Sequence, residues 1–245
     1  MKYQKPIMSL LLLLLTVCSK MVAAQEITEV DYAKIEKETK DPKSAYYFPK
    51  LMQRYLKSDA SMSKEDRMYF YYGYSYTDQY STSPIDIYYD SVRAIFNKDT
   101  QKRSDWQKLV LYADSSLQAD PLNMRMLKYQ AYAYEQMDSV DRADLNQAKI
   151  KIVSDAILNS GDGKSLQTAF HVINVRDEYD LMGMLKLKSD GQSLVNDHYD
   201  LIAIKENKYG IKELYFNVYR SMAKMDEMFK EAGPTLPAGS KKKKK

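Results

Sequence analysis

Met68-Tyr69-Phe70-Tyr71-Tyr72-Gly73-Tyr74-Ser75-Tyr76 is the stretch on which the reading of the fold turns. Ser63 precedes it as an N-cap residue, and Glu65 and Asp66 follow where a first helical turn favours acids. The run is therefore predicted to be a helix. At 3.6 residues per turn its tyrosines fall on every side, so some are expected to face a core and some the opposite surface. Gly73 leaves a gap through which a partner helix can approach closely. The chain carries 22 tyrosines against six phenylalanines and one tryptophan, with further pairs at Tyr46-Tyr47 and Tyr88-Tyr89. A tyrosine is apolar along its body and polar at its tip. That suits the packing of helix pairs with each hydroxyl bonded, which is the favoured reading for any single ring. It also suits an aromatic groove for a peptide or glycan, with Tyr69, Tyr72, Tyr76 and Tyr134 as the candidate lining.

Working outward, Asp31–Thr39 and Ser44–Lys57 read as helices separated by Asp41-Pro42, because the residue before a proline is pushed out of the α region. Tyr47, Leu51 and Tyr55 recur at helical spacing. On the other side, helices are expected through Leu109–Ser116, through Leu127–Tyr134, and over Asn146–Asn159, the last with Ile150, Val153 and Ile157 on one face. Ser81–Ser104 reads as an insert with a short helix near Asp86–Ile95.

The spacing of Tyr69, Tyr72-Gly73 and Tyr76 resembles the opening helix of a tetratricopeptide repeat. Leu109, Ala113, Ser116 and Pro121 resemble its closing helix, and Leu127, Ala131 and Tyr134 a second opening one. Tyr76 and Tyr134 are 58 residues apart, however, against a repeat period of roughly 34. The resemblance implies degenerate helical hairpins, not a regular array.

At Ser160-Gly161-Asp162-Gly163, a loop signal, the pattern changes. Thr168–Val175, Tyr179–Lys188, His198–Glu206 and Lys212–Val218 read as strands, joined by turns at Ser189-Asp190-Gly191-Gln192 and Asn207-Lys208-Tyr209-Gly210. Connections this short imply antiparallel pairing. A last helix over Arg220–Lys230 stops at Gly233-Pro234. The fold class expected is α+β: tetratricopeptide-like helical hairpins over 25–160, then an antiparallel β-meander of about four strands and a final helix over 161–232, packed on the helices as one unit.

The ends carry a separate message. Lys2 and Lys5, the apolar run Ile7–Val17 and Val22-Ala23-Ala24 have the three parts of a secretory signal over residues 1–24. Cys18 is the sole cysteine, and Val17 stands where a lipoprotein signal wants a small residue. Cleavage near Ala24 is therefore favoured over lipid attachment at Cys18. Residues 233–245 end in Lys241–Lys245, a tail that cannot pack and could make weak contact with an anionic surface. Setting the leader and tail lysines aside leaves 29 basic residues against 33 acidic ones. The basic isoelectric point is therefore no sign of nucleic-acid binding.

No catalytic signature stands out. His171 and His198 are two histidines without zinc-ligand spacing. Gly161-Asp162-Gly163-Lys164-Ser165 lacks the first glycine of a phosphate loop, and no Gly-x-Ser-x-Gly elbow occurs. No catalytic residue, metal or cofactor is assigned. With the leader, the helical half and the closing strings His198–Ile204 and Lys212–Val218, the chain resembles an uncharacterised family of exported proteins from Bacteroides-type bacteria, domain of unknown function 4919. That resemblance implies origin and fold, and no site residues. The expectation is a non-catalytic interaction or scaffold protein of the bacterial cell envelope, exported to the periplasm or outer envelope. Its partner would be protein or peptide, or a glycan, with no nucleic acid and no transmembrane segment in the processed chain. The alternative is an envelope hydrolase acting on glycan or peptide. Clustered buried acids, or a His171–His198 pair beside a pocket, would favour the hydrolase; a shallow, uncharged aromatic groove would favour the binder.

Overall fold

The computed structural model describes residues 27–84 and 87–232. The signal sequence expected over residues 1–24, Cys18 and the lysine tail lie outside them. Among the described residues seven helices come first: α1 (Tyr32–Lys40), α2 (Phe48–Leu56), α3 (Lys64–Tyr74), α4 (Tyr89–Phe96), α5 (Arg103–Ala119), α6 (Met124–Glu135) and α7 (Val140–Leu158). Strand β1 (Phe170–His171), helix α8 (Val175–Met184), strands β2 (Ser189–Val195), β3 (Tyr199–Ile204) and β4 (Glu213–Asn217), and helix α9 (Tyr219–Ala232) follow. The fold is α+β, helices first, then a four-stranded sheet and a final helix.

Helix α3 begins where the sequence says it should. The Ser63 hydroxyl accepts from the Asp66 backbone N–H at 3.0 Å, and the Asp66 carboxylate accepts from the Ser63 N–H at 2.9 Å, a reciprocal cap. The expectation that one side of this helix meets solvent is overturned, because Tyr69 through Tyr74 are all buried. Helix α2 covers one side, where Tyr55 stacks on Phe70 at 4.6 Å between ring centroids. On another side the Tyr72 hydroxyl reaches the Ala156 carbonyl of α7 and the His171 carbonyl of β1. Helix α1 crosses at Gly73, where a Cβ would stand 2.6 Å from the Thr39 methyl.

The sheet order is β1-β4-β3-β2. Strands β2, β3 and β4 form an antiparallel meander, but β1 is two residues long and runs parallel to β4, with Phe170 opposite Phe216. Two details of the expected meander are corrected. The alternation over Tyr179–Lys188 is not a strand: most of it belongs to α8, whose buried residues Asp177, Glu178, Leu181 and Met182 follow helical spacing. The Asn174 side chain caps α8 by accepting from the Arg176 N–H at 3.0 Å. The expected turn Ser189–Gln192 is instead the start of β2, a polar strand at the sheet's edge. The true reversal lies at Asn196 and Asp197, both at positive φ (45° and 66°), which Asn and Asp tolerate better than bulkier residues. The turn at Asn207–Gly210 lies where expected, closed by a Gly210 N–H to Asn207 carbonyl bond of 3.2 Å. The loop at Gly161–Gly163 is tightly held. A Cβ on Gly161 would lie 2.3 Å from the Thr168 and Ala169 carbonyl oxygens, and the Gly163 carbonyl accepts from Tyr215 of β4 at 2.9 Å.

One apolar core runs through both halves, joining Phe70, Tyr72, Ile152 and Val153 of the helices to Phe170, Ile202, Leu214 and Phe216 of the sheet. A second, smaller cluster lies between α4, α5 and α6 around Val92, Trp106, Leu109 and Met126.

Candidate functional site

Helix α8 is wedged against the helical half by charge. Arg176 donates from Nη1 to Asp120, the residue that ends α5, at 2.6 Å. Arg125, in the first turn of α6, donates from Nε and Nη2 to Asp180 Oδ1 at 2.9 and 2.7 Å. Arg176 also lies 3.5 Å from Asp177 and 3.8 Å from Asp180, too far for hydrogen bonds. The result is a seam of alternating charge: Asp120, Arg176, Asp180, Arg125. The N-terminal turn of α8 adds a favourable field for its acids.

Two carboxyls are sealed behind this seam. Asp177 is 2 % exposed; its Oδ2 accepts from the Tyr71 hydroxyl at 2.7 Å, and that hydroxyl accepts in turn from the Ile173 N–H at 3.1 Å. Burial pushes Asp177 up to about 7, against the pull of Arg176 and Tyr71. Glu178 is 0 % exposed, and neither of its oxygens accepts a hydrogen bond among the described residues. Burial, then the neighbouring Asp200 carboxylate, push it up to about 9, so at neutral pH it holds a proton beside Asp200. Asp200 accepts from Gln192 Nε2 at 2.6 Å, and Gln192 Oε1 accepts from the half-exposed Tyr179 hydroxyl. A proton-bearing acid pair thus lies one amide away from the surface, on the seam's far side. Arg176 is drawn down by burial but raised, on balance, by Asp177, Asp120 and Asp180.

Two openings flank the charged seam of α8. One, of about 120 Å³, lies over Asp120 and Arg176 and is walled by Pro84, Ala119 and Asn123. The other, of about 210 Å³, is lined by Met124, Arg125, Lys128, Tyr129, Ile150, Tyr179, Asp180, Gly183 and Met184. Both fall below the roughly 300–1,000 Å³ of small-molecule sites. Each carboxylate that reaches an opening, Asp120 in the first and Asp180 in the second, is already held by an arginine.

The four candidate tyrosines are not brought together in an open groove. Tyr69 and Tyr72 are 4 % and 0 % exposed in the main core, so their faces cannot stack on a ligand. Tyr76 is half-buried under Arg220, whose guanidinium lies 4.3 Å from its ring centre. Tyr134 is half-buried on the second cluster, beneath Arg142 at 5.5 Å. The histidines do come near one another, through two tyrosines. His171 accepts from or donates to the Tyr32 hydroxyl at 3.2 Å, Tyr32 contacts Tyr219 at 5.8 Å between centroids, and Tyr219 meets the His198 ring at 5.6 Å. Burial, then His198, pull His171 down to about 4, so it is neutral, and neither ring lines either opening. Among the described residues no group of three or more His, Cys, Asp or Glu is placed to hold a metal ion, and no helix is long and apolar enough to cross a membrane.

Sequence reasoning missed Arg176, Asp177 and Asp180, and gave Glu178 no role beyond an unsupported ligand for the two histidines, because the apolar alternation from Tyr179 onward suggested a strand. The signal was there: Asn174, then Asp177 and Glu178 three and four residues on, is a helix start. What no spacing could reveal was which arginine meets which acid, since Arg125 and Asp180 are 55 residues apart.

A family model described as Domain of unknown function (DUF4919) matches residues 33–227. Neither the curated proteins nor the solved structures contain a match to the chain.

Proposed function

The chain belongs to the DUF4919 family, and on that footing we propose that it is a non-catalytic interaction protein of the bacterial cell envelope that binds a protein or peptide partner across the α6–α8 face. Export through residues 1–24 and an origin in Bacteroides-type bacteria are part of that reading. The observation that carries it is the recess of about 210 Å³ beside α8. It is sized for one side chain of a partner and not for a free metabolite. Its walls combine methionine, tyrosine and arginine, the residue types that concentrate binding energy at protein interfaces. Met124 and Met184 can adapt to an inserted group, and the exposed Lys128 at the rim suits an acidic neighbour on the partner.

Gly183 makes the reading testable. It lies in α8 at the recess wall, and a Cβ there would meet nothing within 4 Å. Gly183→Trp is expected to plug the recess without disturbing the fold. A partner that co-purifies stoichiometrically with the wild-type chain from its native envelope fraction should be lost from Gly183→Trp, at unchanged Tm. Retention of that partner would remove the recess from consideration.

One observation favours the second reading, an envelope hydrolase acting on glycan or peptide: Glu178, held protonated by burial beside the Asp200 carboxylate, as the acid of a catalytic carboxyl pair is. Against it, Glu178 is sealed from solvent and the carboxylates at the openings are neutralised by Arg125 and Arg176. Turnover of an envelope glycan or peptide that disappears in Glu178→Gln would reverse the preference.

A further inference from the structure

Helix α9 leaves the body of the protein. Arg220 and Ser221 are buried at its base, where the Arg220 guanidinium donates to the Ser75 hydroxyl and carbonyl at 3.1 and 2.8 Å. From Met225 to Glu231 every residue is exposed. Among them are large apolar side chains, with Met225 42 %, Met228 51 % and Phe229 71 % exposed. At about 100° per residue, these three and Met222 share one stripe roughly 120° wide. Charged residues occupy both flanks, Lys224 and Glu231 on one side and Asp226 and Lys230 on the other. A lone helix of 14 residues is marginal in water, and tertiary contact with its apolar stripe is what ordinarily sustains it. Here Met222 packs on the main core, but for Met225, Met228 and Phe229 the described remainder of the chain supplies no such contact.

The charges say what covers it. A helix lying on an anionic membrane carries a polar face rich in Lys and Arg. The polar face of α9 is balanced, Lys224 and Lys230 against Asp226, Glu227 and Glu231, with Glu227 already taken by Arg220 at 3.2 Å. Antiparallel pairing with itself answers both the stripe and the charges. Centring the pair on Met228 sets Asp226 level with Lys230 of the second copy on one flank, brings Lys224 within one residue of Glu231 on the other, and packs Met225 beside Phe229. Met228 then lies beside the two-fold axis. Asp226, Lys230 and Glu231 make no ion pair within the chain among the described residues, and Lys224, 3.4 Å from Glu227, turns from it to meet Glu231 across the axis. We propose that α9 is the contact surface of a homodimer in which two copies pair this helix antiparallel across a two-fold axis. A two-helix contact is smaller than the roughly 1,600 Å² of a standard interface, so weak, reversible association is expected.

Sedimentation velocity of the chain from Gln25 onward, over a concentration series to about 300 µM, tests this. The wild type should shift from monomer to dimer, and Met225→Glu with Phe229→Glu should stay monomeric. Should that variant lose its fold by circular dichroism, the flank charges decide instead. Lys224→Glu should weaken association about tenfold, and adding Glu231→Lys in the same chain should restore it. In this cysteine-free chain Met228→Cys should yield a disulfide-linked dimer on mild oxidation. A wild type that remains monomeric throughout would overturn the proposal. So would a dimer indifferent to the charge reversal, or binding to anionic vesicles without self-association.

Discussion

At Glu178 a carboxyl group is enclosed with another acid, Asp200, as its polar neighbour, and the consequence is a stability that depends on pH with a definite sign. Its folded value lies near 9 against an ordinary 4.5, so in that interval the folded chain holds a proton that the unfolded chain releases. Stability from this group is complete below the lower value and is lost as pH rises through the upper one. Glu178→Gln keeps the shape, removes the titration and lets an amide donate to Asp200. It is expected to raise stability by several kcal/mol at pH 9 and to change it little at pH 4.5, read from urea midpoints at the two pH values. An equal effect at both would mean that Glu178 is ionised in the fold. This residue was invisible to sequence reasoning as a special one. An acid acquires an abnormal titration only when a distant strand, here β3, closes over it.

At the scale of the element, α3 and α1 are held together by what Gly73 lacks. Gly73→Ala would gain about 1 kcal/mol of helix propensity. The new methyl would also sit 2.6 Å from the Thr39 side chain, on a branched residue whose hydroxyl is tied to the Ile35 carbonyl at 2.7 Å. Overpacking of this kind costs about 1–3 kcal/mol, so a net loss is expected in thermal or chemical denaturation. Thr39→Ser removes the opposing methyl and keeps the hydroxyl bond, and in combination with Gly73→Ala it should recover most of the loss. Failure to recover would place the strain elsewhere. The need for a glycine was legible in the sequence, whereas the identity of Thr39 as its counterpart was not. Helix α8 teaches the converse: a period of two in Tyr179–Leu187 was real, but it was overruled by the Asn174 cap and by the arginines that pull Asp177 and Asp180 onto a helical face.

For the whole molecule, the decisive fact is that the main core is shared between helices and sheet. Ile152, Val153 and Ile157 of α7 and Tyr71 and Tyr72 of α3 are covered in part by Val172, Ile173 and Phe216. Buried tyrosine hydroxyls add polar ties across the same boundary, from Tyr71 to Asp177 and from Tyr72 to the His171 carbonyl. A fragment of residues 27–160 would leave this apolar surface bare and these donors unpaired. It is expected to lack a cooperative unfolding transition and to bind a hydrophobic dye, whereas the longer chain unfolds in one step. A sharp transition in the fragment would show that the helical half is stable by itself.

Local chemistry determined much of this protein from the sequence alone: the α+β class, the Ser63 cap, the glycine in the tyrosine helix, the strands after His198 and the turn at Asn207. Each depends on residues within a turn or two of one another, where backbone preference and hydrophobic period act directly. Only the tertiary structure decided that Tyr69 through Tyr74 of α3 are enclosed on every side, that Arg125 and Arg176 clamp α8, that Glu178 keeps its proton, and that the described residues leave the far end of α9 uncovered. Those outcomes depend on which surfaces remain in water. That is a property of the packed whole, set by contacts between residues far apart in the chain.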